Sequence, residues 1–319
     1  LLETLACAVC GTDVKMRTQG HRDLVFPRVL GHEVVGRIVE LDDLAEGGLI
    51  EGDQVQIWPG IACGKCRSCL RGADNRCSNI KIMGFNCDGG FAELLALPKE
   101  SISSGVNLLA HGADLALAAL AEPLACCING QEQAAVSKGD RVLIYGGGPI
   151  GALHALLAEH HAAEKIIVAE RLPCRIRLLK RHTSAVVIDL AKESGKTALA
   201  EEIGKAGVDV ILTATPQVRV DGDQQKLLSP GGRICIFSGP IPGNYEERID
   251  QRSIHYHEQT ITGAYGCASR QNRQAVELLT SGIIKADWLI TMRTSLAGIE
   301  DAFSHSSQRT GMKSVVCGN

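Results

Sequence analysis

Cys63, Cys66, Cys69 and Cys77 follow the spacing C-x2-C-x2-C-x7-C, with Gly64 and Gly72 between them. Four thiolates in one short loop can close a tetrahedral shell around Zn2+ at about 2.3 Å per bond, leaving no position for water, so such a site is structural. The rival is an iron–sulfur cluster. Its ferredoxin-type run brings the fourth cysteine sooner and ahead of a proline, whereas here the last gap is seven residues and Ser78 follows. The chain has 13 cysteines, an odd number spread unevenly over 319 residues, which fits reduced thiols better than a disulfide framework. A zinc-ribbon nucleic-acid module could use the same loop. No basic stripe accompanies it, however, and aromatic residues are 3% of the chain, too few for a base-stacking platform.

A second set of donors lies ahead of that loop. The stretches Cys10-Gly11-Thr12-Asp13 and Gly31-His32-Glu33 offer a soft thiolate, an imidazole and a carboxylate. Taken singly, each has an ordinary alternative as a buried thiol, a satisfied core histidine or a solvated acid.

The third element is the glycine run 146–151, G-G-G-P-I-G. It follows the apolar strand-like run 141–145 and opens a helical stretch in which Ile150, Leu153 and Leu157 share one face. In that context Gly146 permits the tight turn, Gly148 lets a pyrophosphate approach the backbone, and Gly151 lets helix and strand pack closely. The helix start supplies free N–H groups and a positive dipole for phosphate, and Pro149 suits its first turn. Glu170 stands 19 residues after Gly151, at the end of another apolar run. A carboxylate there accepts from the ribose hydroxyls and repels a 2′-phosphate, which predicts NAD. Arg171 and Arg175 could accommodate a phosphate, so NADP stays open.

These groups need two kinds of scaffold. Up to about residue 100 the chain is Gly-rich with short apolar runs between turn signals, as in a barrel-like β domain. From Arg141 onward, buried-strand runs alternate with helical stretches, the rhythm of a parallel sheet wrapped by crossover helices. The fold class is therefore α/β with a separate β domain. The run "RICIFSG" is expected at a sheet edge, where it could pair with another copy. The basic run Arg171 to Arg181 reads as a solvated helix face. Net charge is −3 with both signs interspersed, so nothing draws the whole chain toward nucleic acid or acidic lipid. The longest apolar stretch is broken by Glu122 and Pro123, and no signal-like segment stands near Leu1, so a soluble, cytoplasmic protein with no membrane partner is expected. The chain starts inside what reads as a strand, and further strands are expected upstream.

The motifs "CGTD", "GHE", "EGDQV", the cysteine loop, "DGGFAE", "AEPLA" and "GGGPIG" occur in an order that resembles the zinc-dependent medium-chain dehydrogenases, most of all their sorbitol (polyol) dehydrogenase branch. The similarity spans nearly the whole chain. It implies a GroES-like β-barrel catalytic domain over 1–122, with the structural zinc lobe at about 63–77, completed by 266–319. It also implies a doubly wound Rossmann domain that binds NAD over 123–265. Two zinc ions per chain are implied. One would be catalytic, bound by Cys10, His32 and either Glu33 or Glu122, with Asp13 orienting His32; the other would be structural. By resemblance, Thr12 takes the alcohol proton, Gly146, Gly148, Pro149, Ile150, Gly151, Glu170 and Arg175 serve the dinucleotide, and the site lies between the domains.

An alcohol is a poor hydride donor until its proton leaves, and bound Zn2+ lowers the pKa of a coordinated oxygen from about 16 to near 7. The implied reaction is hydride transfer between NAD(H) and the secondary alcohol of a polyol, cyclitol or sugar derivative. An L-threonine dehydrogenase-like or general secondary-alcohol dehydrogenase is the alternative, and a catalytically inactive dinucleotide-binding protein is the non-enzyme one. Two departures stand out. Lys15 occupies the usual place of a relay histidine; a solvated lysine is preferred over a relay of depressed pKa or a cation for an anionic substrate. Gly266 stands where sorbitol dehydrogenases carry an arginine, which disfavours sorbitol itself. Cys126 and Cys127 read as packing residues. The resemblance further implies a small-molecule partner and a homo-oligomer, dimer or tetramer.

Overall fold

The computed structural model describes residues 1–41, 48–239, 241 and 246–318. The chain divides into two compact units, Leu1–Cys126 with Gly266–Asn319, and Cys127–Tyr265.

The first unit is built on a seven-stranded sheet. Its strands run in the order Ile290–Ser295, Lys313–Cys317, Leu2–Ala8, Glu33–Ile38, Gln54–Ile57 and Val106–Leu108, with Leu94–Leu95 also pairing with Leu2–Ala8. Leu2–Ala8 alternates buried and half-buried residues before its last three positions become fully buried, as expected where both faces are covered. Ala8 faces Glu33 on one side and Val315 on the other, both antiparallel. The residues just beyond the end of this strand therefore meet the beginnings of both neighbours. Leu2, Cys7, Val34, Val55, Ile57 and Met83 form one core of this unit, and Val9, Ala302, Phe303 and Val316 form another.

The second unit carries a six-stranded, all-parallel sheet in the order Val186–Asp189, Lys165–Glu170, Arg141–Tyr145, Val208–Thr213, Leu228–Ile236 and Thr260–Gly263. The apolar runs read from the sequence form these strands. The order reverses beside Arg141–Tyr145, the place where such sheets bind ligands. Leu143, Ile167, Ile211 and Ile234, none of them exposed, build the core against Leu199 and Ile203.

"RICIFSG" is not at the edge. Strand Leu228–Ile236 is paired on both sides, with Val208–Thr213 and with Thr260–Gly263, so the edge falls to Thr260–Gly263. The run reads as terminal because the strand that covers it has only four residues. Among the described residues no helix is long and apolar enough to cross a membrane.

Candidate active site

Cys10 caps the helix Gly11–Gln19, its sulfur accepting from the Thr12 N–H at 3.4 Å. Asp13, fully buried in the first turn, accepts from the Cys10 N–H at 2.9 Å through one oxygen and from the Gly31 N–H at 3.3 Å through the other. The second oxygen also lies 3.2 Å from His32 Nδ1, an ionic contact too bent for a straight hydrogen bond. One carboxylate thus ties the Cys10 turn to the His32 turn and leaves Nε2 as the other ring nitrogen. Burial disfavours a charged His32 ring, yet the Asp13 carboxylate and the Cys10 sulfur outweigh it and hold the ring well above its ordinary pKa. Phe85 packs edge-on to the ring at 5.3 Å between centroids.

The sheet register completes the cluster. Glu33 begins the strand opposite Ala8, and the Cys10 sulfur, a His32 nitrogen and a Glu33 oxygen all lie within 4.8 Å of one another. Lys313 begins the strand on the other side, and its ammonium contacts both Glu33 oxygens and, at 3.2 Å, the Val9 carbonyl. Burial raises Glu33 to about 7 even against the lowering effect of Lys313. Nothing in the sequence marked Lys313 as part of the site, apart from a lysine opening a largely apolar run.

Glu122 is not among these donors. It lies 8% exposed near the start of helix Ala121–Gln133, where the Cys126 thiol donates to its Oε1 at 3.3 Å. Together with Cys267 these two form a separate group whose donor atoms are within 4.8 Å of one another. Lys15 is exposed on the second turn of its helix, and Thr12 is half-buried.

In the cysteine loop the four sulfurs also converge within 4.8 Å. Gly64 and Gly72 adopt positive φ, 69° and 70°, which lets the loop reverse between ligands. Cys66 caps the short helix Arg67–Leu70, and Cys77 comes directly after the turn Asp74–Arg76. The Cys69 backbone N–H holds Cys66 down at about 6, while burial and the neighbouring sulfurs push Cys69 up to about 12. Without a cation the four thiols cannot all ionise, and a divalent ion removes that conflict. Asp74 anchors the lobe by accepting from the Ser269 N–H at 3.0 Å.

In the second unit, Gly146 turns the chain at φ 94°, and Gly148 precedes a helix, Pro149–His160, that no side chain caps. A Cβ on Gly151 would sit 1.8 Å from the Gly146 carbonyl oxygen, so only glycine fits. Glu170 accepts from the Gly147 N–H at 2.7 Å and the Leu172 N–H at 2.9 Å, which fixes its carboxylate beneath the glycine turn. Arg175 lies over the turn, where a Cβ on Gly148 would come within 3.0 Å of its Nη1. An uncapped helix start beneath a backbone-only turn suits a dinucleotide pyrophosphate.

Two family models match the chain, the alcohol dehydrogenase GroES-like domain over residues 1–106 and the zinc-binding dehydrogenase domain over 149–281. The L-galactonate-5-dehydrogenase of Escherichia coli K12 is 30% identical over 304 residues, covering 95% of this chain and 86% of that protein. The chain belongs to the zinc-dependent medium-chain dehydrogenases. An L-threonine 3-dehydrogenase of Pyrococcus horikoshii is 31% identical over 297 residues, covering 91% and 82%. The crystal structure of a zinc-binding dehydrogenase from Sinorhizobium meliloti 1021 bound to NADP superposes with a TM-score of 0.89 at 29% identity, covering 99% of this chain and 91% of that one. This dehydrogenase therefore combines a GroES-like domain with a Rossmann-type parallel sheet, as its motifs implied, and it is a zinc-type alcohol dehydrogenase.

Proposed function

We propose that this dehydrogenase transfers hydride between NAD(H) and the secondary alcohol of a polyol or sugar-derived substrate, sugar acids included. The observation that carries the reading is the convergence of Cys10, His32 and Glu33, braced by Asp13, at one end of the sheet. Their donor set, one sulfur, one imidazole and one carboxylate, suits Zn2+ with a fourth position left for substrate. When bound, the ion supplies a Lewis acid that makes an alcohol oxygen release its proton near neutral pH.

The chain's own residues do the rest. Cys10 and His32 are held in place through Asp13, Glu33 offers its free lone pairs while Lys313 balances its charge, and Thr12 accepts the alcohol proton on its hydroxyl. Glu33 is preferred to Glu122 as the carboxylate because it stands within the cluster. Gly146, Gly148, Pro149, Ile150 and Gly151 cradle the pyrophosphate, and Glu170, with Arg175 beside it, holds the adenosine ribose. Cys63, Cys66, Cys69 and Cys77 hold a second, structural zinc. The exposed position of Lys15 supports a solvated lysine there, and assembly as a homodimer or homotetramer is part of the same reading.

The sugar-acid class draws on the Escherichia coli relative, an L-galactonate-5-dehydrogenase. The test is reduction of NAD and of NADP over a panel of polyols, L-galactonate and related sugar acids, L-threonine and simple secondary alcohols, beside zinc counting. Turnover on a polyol or sugar acid with NAD preferred supports the proposal. Turnover on L-threonine alone, or a strong NADP preference, contradicts it.

A further inference from the structure

Asp74 stands between the third and fourth cysteines of the lobe, buried in the turn Asp74–Arg76. The backbone around it is a run of tight turns. The Gly72 N–H donates to the Cys69 carbonyl at 2.9 Å, the Ala73 N–H to the Ser68 carbonyl at 3.0 Å, and the Cys77 N–H to the Asp74 carbonyl at 3.0 Å. A cation bonded to both Cys69 and Cys77 clamps the two ends of this stretch and so fixes where the Asp74 carboxylate stands.

That carboxylate reaches outside the lobe. One oxygen accepts from the Ser269 N–H at 3.0 Å and the other from the Ser269 hydroxyl, across 195 residues of sequence. Ser269 opens helix Ser269–Thr280, and Ala268 ahead of it has only a methyl group to offer as a cap. The first N–H groups of a helix have no partner within it and form the positive end of its dipole. Helices Leu115–Ala118 and Gln251–His257 are capped by the aspartates that directly precede them, Asp114 and Asp250. Helix Ser269–Thr280 instead takes its carboxylate from the lobe.

The capped end is also tied to the interior of the first unit. The Cys267 carbonyl accepts from the indole N–H of buried Trp58 at 2.9 Å, Gln271 Oε1 accepts from the Ala268 N–H at 2.7 Å, and the Asn272 amide donates to Gln56. Cys267 lies beside Glu122, whose charge acts on both Glu33 and Lys313. Residues 267–269 therefore join the four-cysteine lobe to the surroundings of the Cys10, His32 and Glu33 cluster.

We infer that Asp74 is a positioning residue: a metal ion in the four-cysteine loop, acting through Asp74, caps helix Ser269–Thr280 and holds residues 267–269 in place beside Glu122. The inference rests on the reading of that loop as a metal site. Emptying the loop releases the turn that carries Asp74, uncaps the helix and loosens the contact between Trp58 and Cys267. A metal that served the lobe alone would leave Ser269 and Trp58 unchanged.

The experiment loads the reduced, metal-free full chain with cobalt(II), whose visible absorption distinguishes a four-thiolate shell from a shell with one sulfur. Amide hydrogen exchange over residues 267–272 and tryptophan emission are followed as the metal is added. Every protein carries Trp288→Phe, so that Trp58, the other of the chain's two tryptophans, gives the emission. As the four-thiolate bands appear, exchange at Ser269 should slow by about ten-fold, the scale of one helix cap, and Trp58 emission should move to shorter wavelength. With Asp74→Ala the bands should still form, while exchange and emission keep their metal-free values. Asp74→Asn, whose amide oxygen can still accept from Ser269, should recover much of the response. Four-thiolate bands without a change at Ser269, which needs no variant at Asp74 to fold, overturn the inference, and so does an equal response with Asp74→Ala. Absence of those bands overturns the reading of the loop as a metal site, and this inference with it.

Discussion

Lys313 and Glu33 offer the sharpest test of how the site is balanced. Their side chains are 5% and 0% exposed, so removing the ammonium strands a carboxylate in the interior. Breaking a buried pair from one side costs about 3–5 kcal/mol, whereas replacing both partners by neutral groups is often nearly neutral. In metal-free protein, Lys313→Met should therefore destabilise the first unit by about 3–5 kcal/mol, and Lys313→Met/Glu33→Gln should recover most of that loss. Zinc bound beside Glu33 supplies the missing positive charge, so the zinc-loaded Lys313→Met protein should lose less. The assay is urea unfolding monitored by tryptophan emission. Both tryptophans, Trp58 and Trp288, belong to the first unit, so the signal reports that unit alone. Additive effects of the two single changes, with or without zinc, would refute the coupling and with it the place given to Glu33.

Three further predictions concern the second unit. Gly151→Ala forces a Cβ against the Gly146 carbonyl, and strain of about 1–3 kcal/mol should weaken dinucleotide binding by roughly 10- to 100-fold in calorimetric titration. Glu170→Gln removes the charge that opposes a 2′-phosphate and should raise the NADP-to-NAD ratio of kcat/KM by about ten-fold or more, read from steady-state kinetics. His154, fully buried against Phe237, is held down at about 3 by burial against an ordinary 6.5, so its ring is neutral in the folded chain. Because only the unfolded chain then takes up the proton, stability should fall by about 1.4 kcal/mol per pH unit below 6.5 until about 3. His154→Leu should flatten that slope in acid unfolding monitored by circular dichroism.

What could be read in the sequence was local. The cysteine loop and the glycine turn state their chemistry within about fifteen consecutive residues, and the apolar runs of the parallel sheet carry enough β-branched residues to identify themselves. Long-range pairing was not legible. Lys313 meets Glu33 across 280 residues, and only the antiparallel registers on either side of Leu2–Ala8 bring them together. Cys267, which lies beside Cys126, comes from a loop about 140 residues further along the chain. Glu33 and Glu122 were equivalent candidates in one dimension. In three dimensions a Glu33 oxygen lies within 4.8 Å of the Cys10 and His32 donor atoms, while Glu122 is near enough to act on Glu33 through its charge.

Anomalous diffraction at the zinc absorption edge, on crystals of the protein as purified, tests the central claim most directly. The account predicts a peak bonded to Cys10 Sγ, a His32 ring nitrogen and a Glu33 oxygen. A peak at the four-cysteine loop with no density between Cys10 and His32 would contradict it.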